Sequence, residues 1–209
     1  MWLKAGNEDG PRTFSENIKI GPLGYAGRLI LRGADSAPTE FICETGDTLL
    51  ASLVGNVQIQ LENAKISAPN GNAIKVEYQT LFSVGTGVDF GMTKESHIWI
   101  HDSQSIVQVL AAEYTISGNC ARHLFVQYGH LYFEANRVKL IESPAFSGAF
   151  LTCFPRGSVQ ATENVIEGIG RGKRYDIHHL SVLNLCGGQE EIELAGDAPG
   201  YIDGTSILI

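Results

Sequence analysis

The chain carries six histidines, and imidazole is both a common transition-metal ligand and the side chain that titrates nearest neutrality. His97 and His101 flank Trp99 in HIWIH. Isoleucine on either side of the tryptophan favours a strand, on which His97, Trp99 and His101 share one face and Ile98 and Ile100 the other. At the usual strand rise the two imidazoles then stand about 13 Å apart, too far to share one ion. His178 and His179 are adjacent. On a strand they face opposite ways, so only one of them can join a cluster with His123 or His130. A metal centre would require two imidazoles and a carboxylate brought together by the fold, which spacing alone does not supply. No metal ligand is assigned from the sequence.

Other reactive groups are similarly placed. Cys120, in SGNCARH, lies three residues from His123, but positions i and i+3 of a strand point to opposite faces, which separates a thiol from its base. Gly168 to Arg174, GIGRGKR, combines glycine amides with cationic side chains, as phosphate cradles do. It is not a Walker loop, because Glu167 stands where the first glycine belongs and Arg174 where Ser or Thr would bind magnesium. A mobile basic loop, or one that meets an acidic neighbouring subunit, is the expectation. No Gly-x-Ser-x-Gly elbow occurs, and no pair of carboxylates has a spacing that implies acid–base work. The sequence therefore assigns no catalytic residue and no cofactor, and the expectation is a protein that is not an enzyme.

The elements that must position these side chains are short strands. Ser96 to Glu142 is the longest run of strand formers, broken at Ser117-Gly118-Asn119, Gly129-His130 and Ala135-Asn136, and it reads as a meander of at least four antiparallel strands. VQIQLE places Val57, Ile59 and Leu61 opposite Gln58, Gln60 and Glu62, and AIKVEY repeats that alternation. Asn70-Gly71 between them suits a two-residue hairpin. DSQSIVQVLAAEY fits either a helix or a buried strand, and its β-branched residues favour the strand. The last third continues with GAFLTCF, YDIHHLSVLNL, EEIEL and YIDGTSILI, and no internal repeat aligns. The predicted fold is all-β, an antiparallel β-sandwich or jelly-roll-like barrel with at most one or two short helices. Residues 1–15 read as an N-terminal arm and 16–209 as one β-rich domain, with two stacked β-modules meeting near 90–100 as the variant.

ETGDTLLASLVGNVQIQLEN has the texture of the glycine-turned strands of a cupin barrel. A cupin-like metal-dependent enzyme is accordingly one alternative, although that family's His-x-His motif followed closely by Glu does not occur in this chain.

Composition narrows the function further. With 15 basic and 23 acidic residues the net charge is −8, and a face able to neutralise phosphates is missing apart from Arg171-Gly172-Lys173-Arg174, so direct nucleic-acid binding is not expected. No stretch is apolar enough for a membrane span, and no signal-peptide h-region opens the chain. The four cysteines, Cys43, Cys120, Cys153 and Cys186, are too far apart for a zinc motif and are expected to be reduced. Trp2, Tyr201, Ile207 and Ile209 are suited to docking on another surface. The expectation is a structural or interaction subunit of a symmetric assembly, partnered by copies of itself or by other structural proteins. A virion component made in the host cytoplasm, such as a phage capsid, capsid-decorating or tail protein, is its most concrete form, with a cytoplasmic location as the alternative. The other alternative is a small-molecule or carbohydrate-binding domain using Trp99, Tyr128 and Tyr132.

Overall fold

The structure is a computed structural model and describes residues 12–23, 26–35, 38–53 and 55–209. Trp2 lies outside the described residues. The first turn holds β1 (Arg12–Phe14), β2 (Ile18–Ile20) and β3 (Gly27–Arg32), and the second β4 (Thr39–Ile42), β5 (Leu49–Ser52) and β6 (Val57–Glu62). The third holds β7 (Lys65–Ala68), β8 (Ile74–Glu77) and β9 (Leu81–Val84), and the fourth β10 (Asp89–Thr93), β11 (Ser96–Ile100) and β12 (Ile106–Leu110). Next come β13 (Glu113–Ile116), β14 (Cys120–Val126) and β15 (His130–Glu134), then β16 (Arg137–Leu140), β17 (Ala145–Cys153) and β18 (Ser158–Thr162). The seventh turn is β19 (Val165–Glu167), β20 (Arg171–Ile177) and β21 (Val182–Asn184). A four-residue helix α1 (Glu190–Glu193) follows, and the eighth turn has β22 (Tyr201–Ile202) and β23 (Ile207–Leu208).

Among the described residues no strand pairs with its neighbour in sequence. Each bonds in parallel to the strands stacked on it in adjacent turns, three strands away along the chain except where β20 meets β22 and β21 meets β23, which sorts them into three parallel sheets. Sheet A runs β1-β4-β7-β10-β13-β16-β19, sheet B runs from β2 to β22, and sheet C from β3 to β23. The chain is a β-solenoid of about eight turns. This corrects the antiparallel sandwich or jelly-roll barrel expected from the sequence. Local alternation reports that one strand face is buried but says nothing of the direction of the strand alongside.

The repeat that eluded sequence comparison is geometric. Ile66, Phe90, Ile116 and Leu140 are successive partners in sheet A, a recurrence of roughly 25 residues within the range of solenoid periods. Only polarity and volume recur, so identities do not align. The inward column of sheet C is Leu29, Ile59, Phe82, Val107, Leu131, Val159 and Leu183, all of it buried. Columns of this kind from all three sheets merge into one continuous apolar core.

Several local expectations change accordingly. Asn70-Gly71 turns the chain from sheet A to sheet B instead of folding a hairpin, and a Cβ on Gly71 would lie 2.3 Å from the Gly46 carbonyl carbon in the corner stacked on it. DSQSIVQVLAAEY supplies the strands β12 and β13, as its β-branched residues indicate, whereas EEIEL forms α1 instead of a strand. Part of the N-terminal arm is β1, paired with β4. Corners between sheets are held by non-glycine residues with positive φ, among them Tyr78, Gln79, Ala111, Ala135 and Glu163.

The corner from sheet C back to sheet A carries a buried polar ladder. Ala112 N donates to Asn136 Oδ1 at 3.0 Å, Asn136 Nδ2 to Asn164 Oδ1 at 2.9 Å, and Asn164 Nδ2 to Glu193 Oε2 at 3.0 Å. The helix α1 is therefore placed to end this ladder, satisfying amides that would otherwise be buried unpaired. The core gives a direct test. Phe133→Ala should lower stability by about 3–5 kcal/mol, while Val165→Thr, on the outer face of sheet A and 47% exposed, should stay within about 0.5 kcal/mol. Urea unfolding of the two variants measures both.

Candidate functional site

The six histidines fall into distinct settings. His97 and His123 are fully buried, on β11 and β14, which pair so that Ser96 meets Arg122 and Ile98 meets Leu124. His97 and Ile98 are both buried. Strict alternation fails where the chain enters sheet B, so His97 does not share a face with Trp99 and His101. His97 Nε2 lies 2.9 Å from the Gly91 carbonyl, His97 Nδ1 lies 2.9 Å from His123 Nδ1, and His123 Nε2 lies 2.8 Å from the Tyr114 hydroxyl.

The proton positions in this chain follow from the Gly91 carbonyl, which only accepts. His97 must donate through Nε2, leaving Nδ1 as an acceptor. His123 then donates from Nδ1, and its Nε2 accepts from Tyr114. Both rings are neutral and every polar atom is used. Burial holds His97 down at about 3 and His123 well below the ordinary imidazole range, the latter aided by His97, and it pushes the Tyr114 phenol well up. These hydrogen bonds link the buried faces of sheets A and B at this level. Cys120 is buried too, and burial raises its thiol well above the usual value despite Arg122 nearby. Since His123 is committed to His97 and Tyr114, the thiol and imidazole do not form a nucleophile–base pair.

GIGRGKR proves to be the start of a strand. Arg171 to Arg174 lie in β20, Gly172 N donates to Asp197 Oδ1 at 2.7 Å, and Arg174 and Lys173 pair with Glu190 and Asp176 at 3.7 and 3.5 Å. Its glycine serves stacking: a Cβ on Gly172 would sit 2.2 Å from the Phe146 carbonyl oxygen one turn below. Two of its three cations, Lys173 and Arg174, are thus paired within the chain, and the Gly172 amide is taken by Asp197.

Trp99, Tyr128 and Tyr132 do not share a surface. Trp99 is on the outer face of sheet B, stacked on Phe125 at 5.9 Å with Lys75 Nζ 4.7 Å from its ring centre. Tyr128 occupies the corner between sheets B and C with positive φ, and Tyr132 lies on the outer face of sheet C. There the outward column Gln60, Ser83, Gln108, Tyr132, Gln160 and Asn184 follows directly from strand pairing. Rungs in such a column are about 4.8 Å apart. Among the described residues the amides of Gln108 and Gln160 engage no side chain or backbone group, and Tyr132 between them is 37% exposed. The column leads into a groove of about 510 Å³ lined by Arg28, Arg32, Gln58, Gln60, Glu62 and Ser83 among others. Gly85 makes the room, since a Cβ there would lie 2.6 Å from Gln60 Nε2. His130 belongs to the same face.

His178 and His179 form the last setting. They follow β20 at the corner into sheet C, where His179 takes φ 55°, so the alternation that would part them on a strand does not apply. Both approach Asp203, at the equivalent corner of the eighth turn. Asp203 Oδ2 lies 4.0 Å from His178 Nδ1 and 3.8 Å from His179 Nδ1, and the three ligand atoms all lie within 4.8 Å of one another. Asp203 is held well below the carboxylate range, chiefly because its carboxylate accepts from His179 N at 2.8 Å, with Thr205 and Ser206 adding donors. The sequence carries little signal for this meeting: His178-His179-Leu180-Ser181 and Asp203-Gly204-Thr205-Ser206 share only the serine, 25 residues apart. Tyr201, Ile207 and Ile209, expected at an interface, are 49%, 53% and 64% exposed on the same final turn.

No protein-family model matches the chain, and no curated protein or solved structure matches it.

The buried histidines set a pH dependence. Their folded pKa values lie below the unfolded value of about 6.5, so the unfolded state binds more protons in between. Their full contribution is present above about pH 6.5 and is lost as pH falls towards 3, at up to about 1.4 kcal/mol per pH unit for each ring. Urea midpoints at pH 7.5 and 4.5 should show this loss. Nitrogen-15 NMR at pH 6 should show His97 as the Nε2–H tautomer and His123 as the Nδ1–H tautomer; an imidazolium at either would contradict the proton assignment.

Proposed function

We propose that this chain is a binding protein, not a bond-making one, and that the outer face of sheet C receives an extended, polyhydroxylated ligand of the glycan class. The supporting observation is the file Gln108, Tyr132 and Gln160, three consecutive rungs in which two uncommitted amides flank an exposed ring. Primary amides offer donors and acceptors together, as vicinal hydroxyls require, and a tyrosine face packs against the C–H surface of a pyranose. Repetition at every rung suits a ligand that itself repeats along its length. Two other ligand classes fit less well. A polyanion would meet a chain of net charge −8, and a lipid or apolar protein surface would have to desolvate the amides. The adjoining groove, with Arg28, Arg32 and Glu62, would take a branch or a charged substituent.

A second reading, the subunit of a symmetric assembly such as a virion, is favoured by a different observation. The eighth turn exposes Tyr201, Ile207, Leu208 and Ile209 together, and β22 and β23 pair on one side only among the described residues. Such an edge suits strand addition from another copy.

Glycan-array screening followed by calorimetry tests the first reading. Tyr132→Ala and Gln108→Ala should each weaken binding of the best glycan roughly tenfold, about 1.4 kcal/mol, while Thr115→Ala on sheet A should leave it unchanged. Absence of any glycan ligand, or equal loss in the sheet A variant, would refute it. Native mass spectrometry tests the second: Leu208→Lys should shift an oligomer to monomer, and a wild-type protein that is monomeric throughout would exclude it.

A further inference from the structure

The corner where His178, His179 and Asp203 meet belongs to neither reading. We infer that these three side chains form a binding site for a divalent transition-metal ion of the zinc class, which pins the eighth turn of the solenoid to the seventh. The donor set is two imidazole nitrogens and one carboxylate oxygen, the mixed N/O composition preferred by zinc, cobalt and nickel over magnesium or calcium. At bond lengths of about 2.0–2.1 Å, donors around a tetrahedral ion stand roughly 3.4 Å apart. The observed separations of 3.8 and 4.0 Å to Asp203 Oδ2 close to that value by small side-chain rotations, and His179, with its side chain 63% exposed, is free to make them. A fourth position faces solvent and would hold water.

The surroundings orient the donors. Asp176 Oδ1 lies 3.1 Å from His178 Nε2, so His178 donates from Nε2 and presents the lone pair of Nδ1 towards Asp203. A carboxylate behind a ligating imidazole is the recurrent outer shell of metal sites, fixing tautomer and ring angle. The edge of Phe154 meets His179 at 4.6 Å, and Tyr201 lies 5.1 Å from His178. Asp203 is already aimed, since His179 N holds Oδ2 and Thr205 N and Oγ1 hold Oδ1 at 3.0 and 2.9 Å. These bonds stay in place when the ion arrives, because a carboxylate oxygen has a second lone pair for it.

The location gives the ion a structural consequence. His178 and His179 follow β20 in the seventh turn and Asp203 follows β22 in the eighth, and β22 and β23 contribute only two residues each to their sheets. An ion shared by the two corners ties the shortest turn to a long one, and because it binds the folded corner only, it stabilises that turn by mass action.

The experiment uses the full chain without a polyhistidine tag, treated with a chelator and then titrated with cobalt(II) chloride and, separately, zinc chloride. One equivalent of cobalt should produce the visible d–d absorption of a low-symmetry N/O site. Zinc should raise the thermal midpoint in a concentration-dependent way and slow amide exchange across residues 201–209. His178→Ala and His179→Ala should abolish both effects, and Asp176→Asn should weaken affinity roughly ten- to a hundredfold. His130→Ala, an exposed imidazole elsewhere, should change nothing. Because His179 is mostly exposed and its backbone amide remains, His179→Ala should match the metal-free wild type in thermal midpoint, which separates loss of the ion from loss of the fold. Absence of cobalt absorption at equimolar metal, or zinc stabilisation that survives in both histidine variants, would overturn the assignment.

Discussion

Registered parallel pairing between successive turns is the constraint from which the rest of this molecule follows. Each strand draws its backbone partners from one turn before and one turn after, so no turn is complete by itself, and displacing one residue would invert every side chain between core and solvent. Pairing at that precision forces the three corners of each turn to superpose. The corners therefore carry the devices that tolerate close stacking: positive φ at residues such as Ala111, Ala135 and Glu163, glycines such as Gly71 and Gly118 whose Cβ would strike the backbone below, and side chains that replace missing backbone partners. Asn136 and Asn164 show the last device plainly, each donating to a strand carbonyl, Val109 or Phe133, while also feeding the ladder. Glu193 receives the amides of Glu163 and Asn164 as the ladder leaves the stack.

The same constraint divides the side chains into two populations with different freedom. Inward residues must fill a narrow prism, where a polar group is costly unless its hydrogen bonds are made; the hydroxyls of Thr93 and Ser96 are buried without a partner. His97, His123 and Tyr114 meet that condition through a single consistent set of proton positions anchored on the Gly91 carbonyl. Outward residues are instead copied into files a rung apart, where any chemistry present at one level is met by its neighbours. Sheet A uses this for charge, with Glu40, Lys65, Asp89, Thr115, Lys139 and Glu167 in succession. Sheet C uses it for amides and a tyrosine, and sheet B for the Lys75, Trp99 and Phe125 stack. A solenoid thus turns a sequence period into a linear surface, the geometry that an elongated ligand or a stacked partner requires.

Chemistry at the corners is less restricted, because a corner is neither inside nor in a file. His178 and His179 illustrate how this departs from strand logic. Adjacent residues on a strand diverge, but a left-handed residue at a corner turns both rings towards Asp203, which stands 24 residues beyond His179 and one turn above it. Cys153, by contrast, ends β17 against the core, where burial pushes its thiol up to about 12, and it has no such freedom.

From the sequence alone it was possible to read that the chain is all-β, where most strands lie, and which face of VQIQLE or IKVE is buried, because burial on one face imposes a period of two on any strand whatever its neighbours do. The turn residues at 70–71, 117–119 and 135–136 were equally legible as breaks, since their φ preferences are intrinsic. Direction, sheet membership and the convergence of distant residues were not. A hairpin corner and a solenoid corner use the same residue types, so antiparallel and parallel arrangements of identical strands differ only in contacts made some 25 residues away. His97 meeting His123, and His178 and His179 meeting Asp203, are likewise products of stacking whole turns, a long-range choice made by packing the apolar columns together and recorded in no local stretch of the chain.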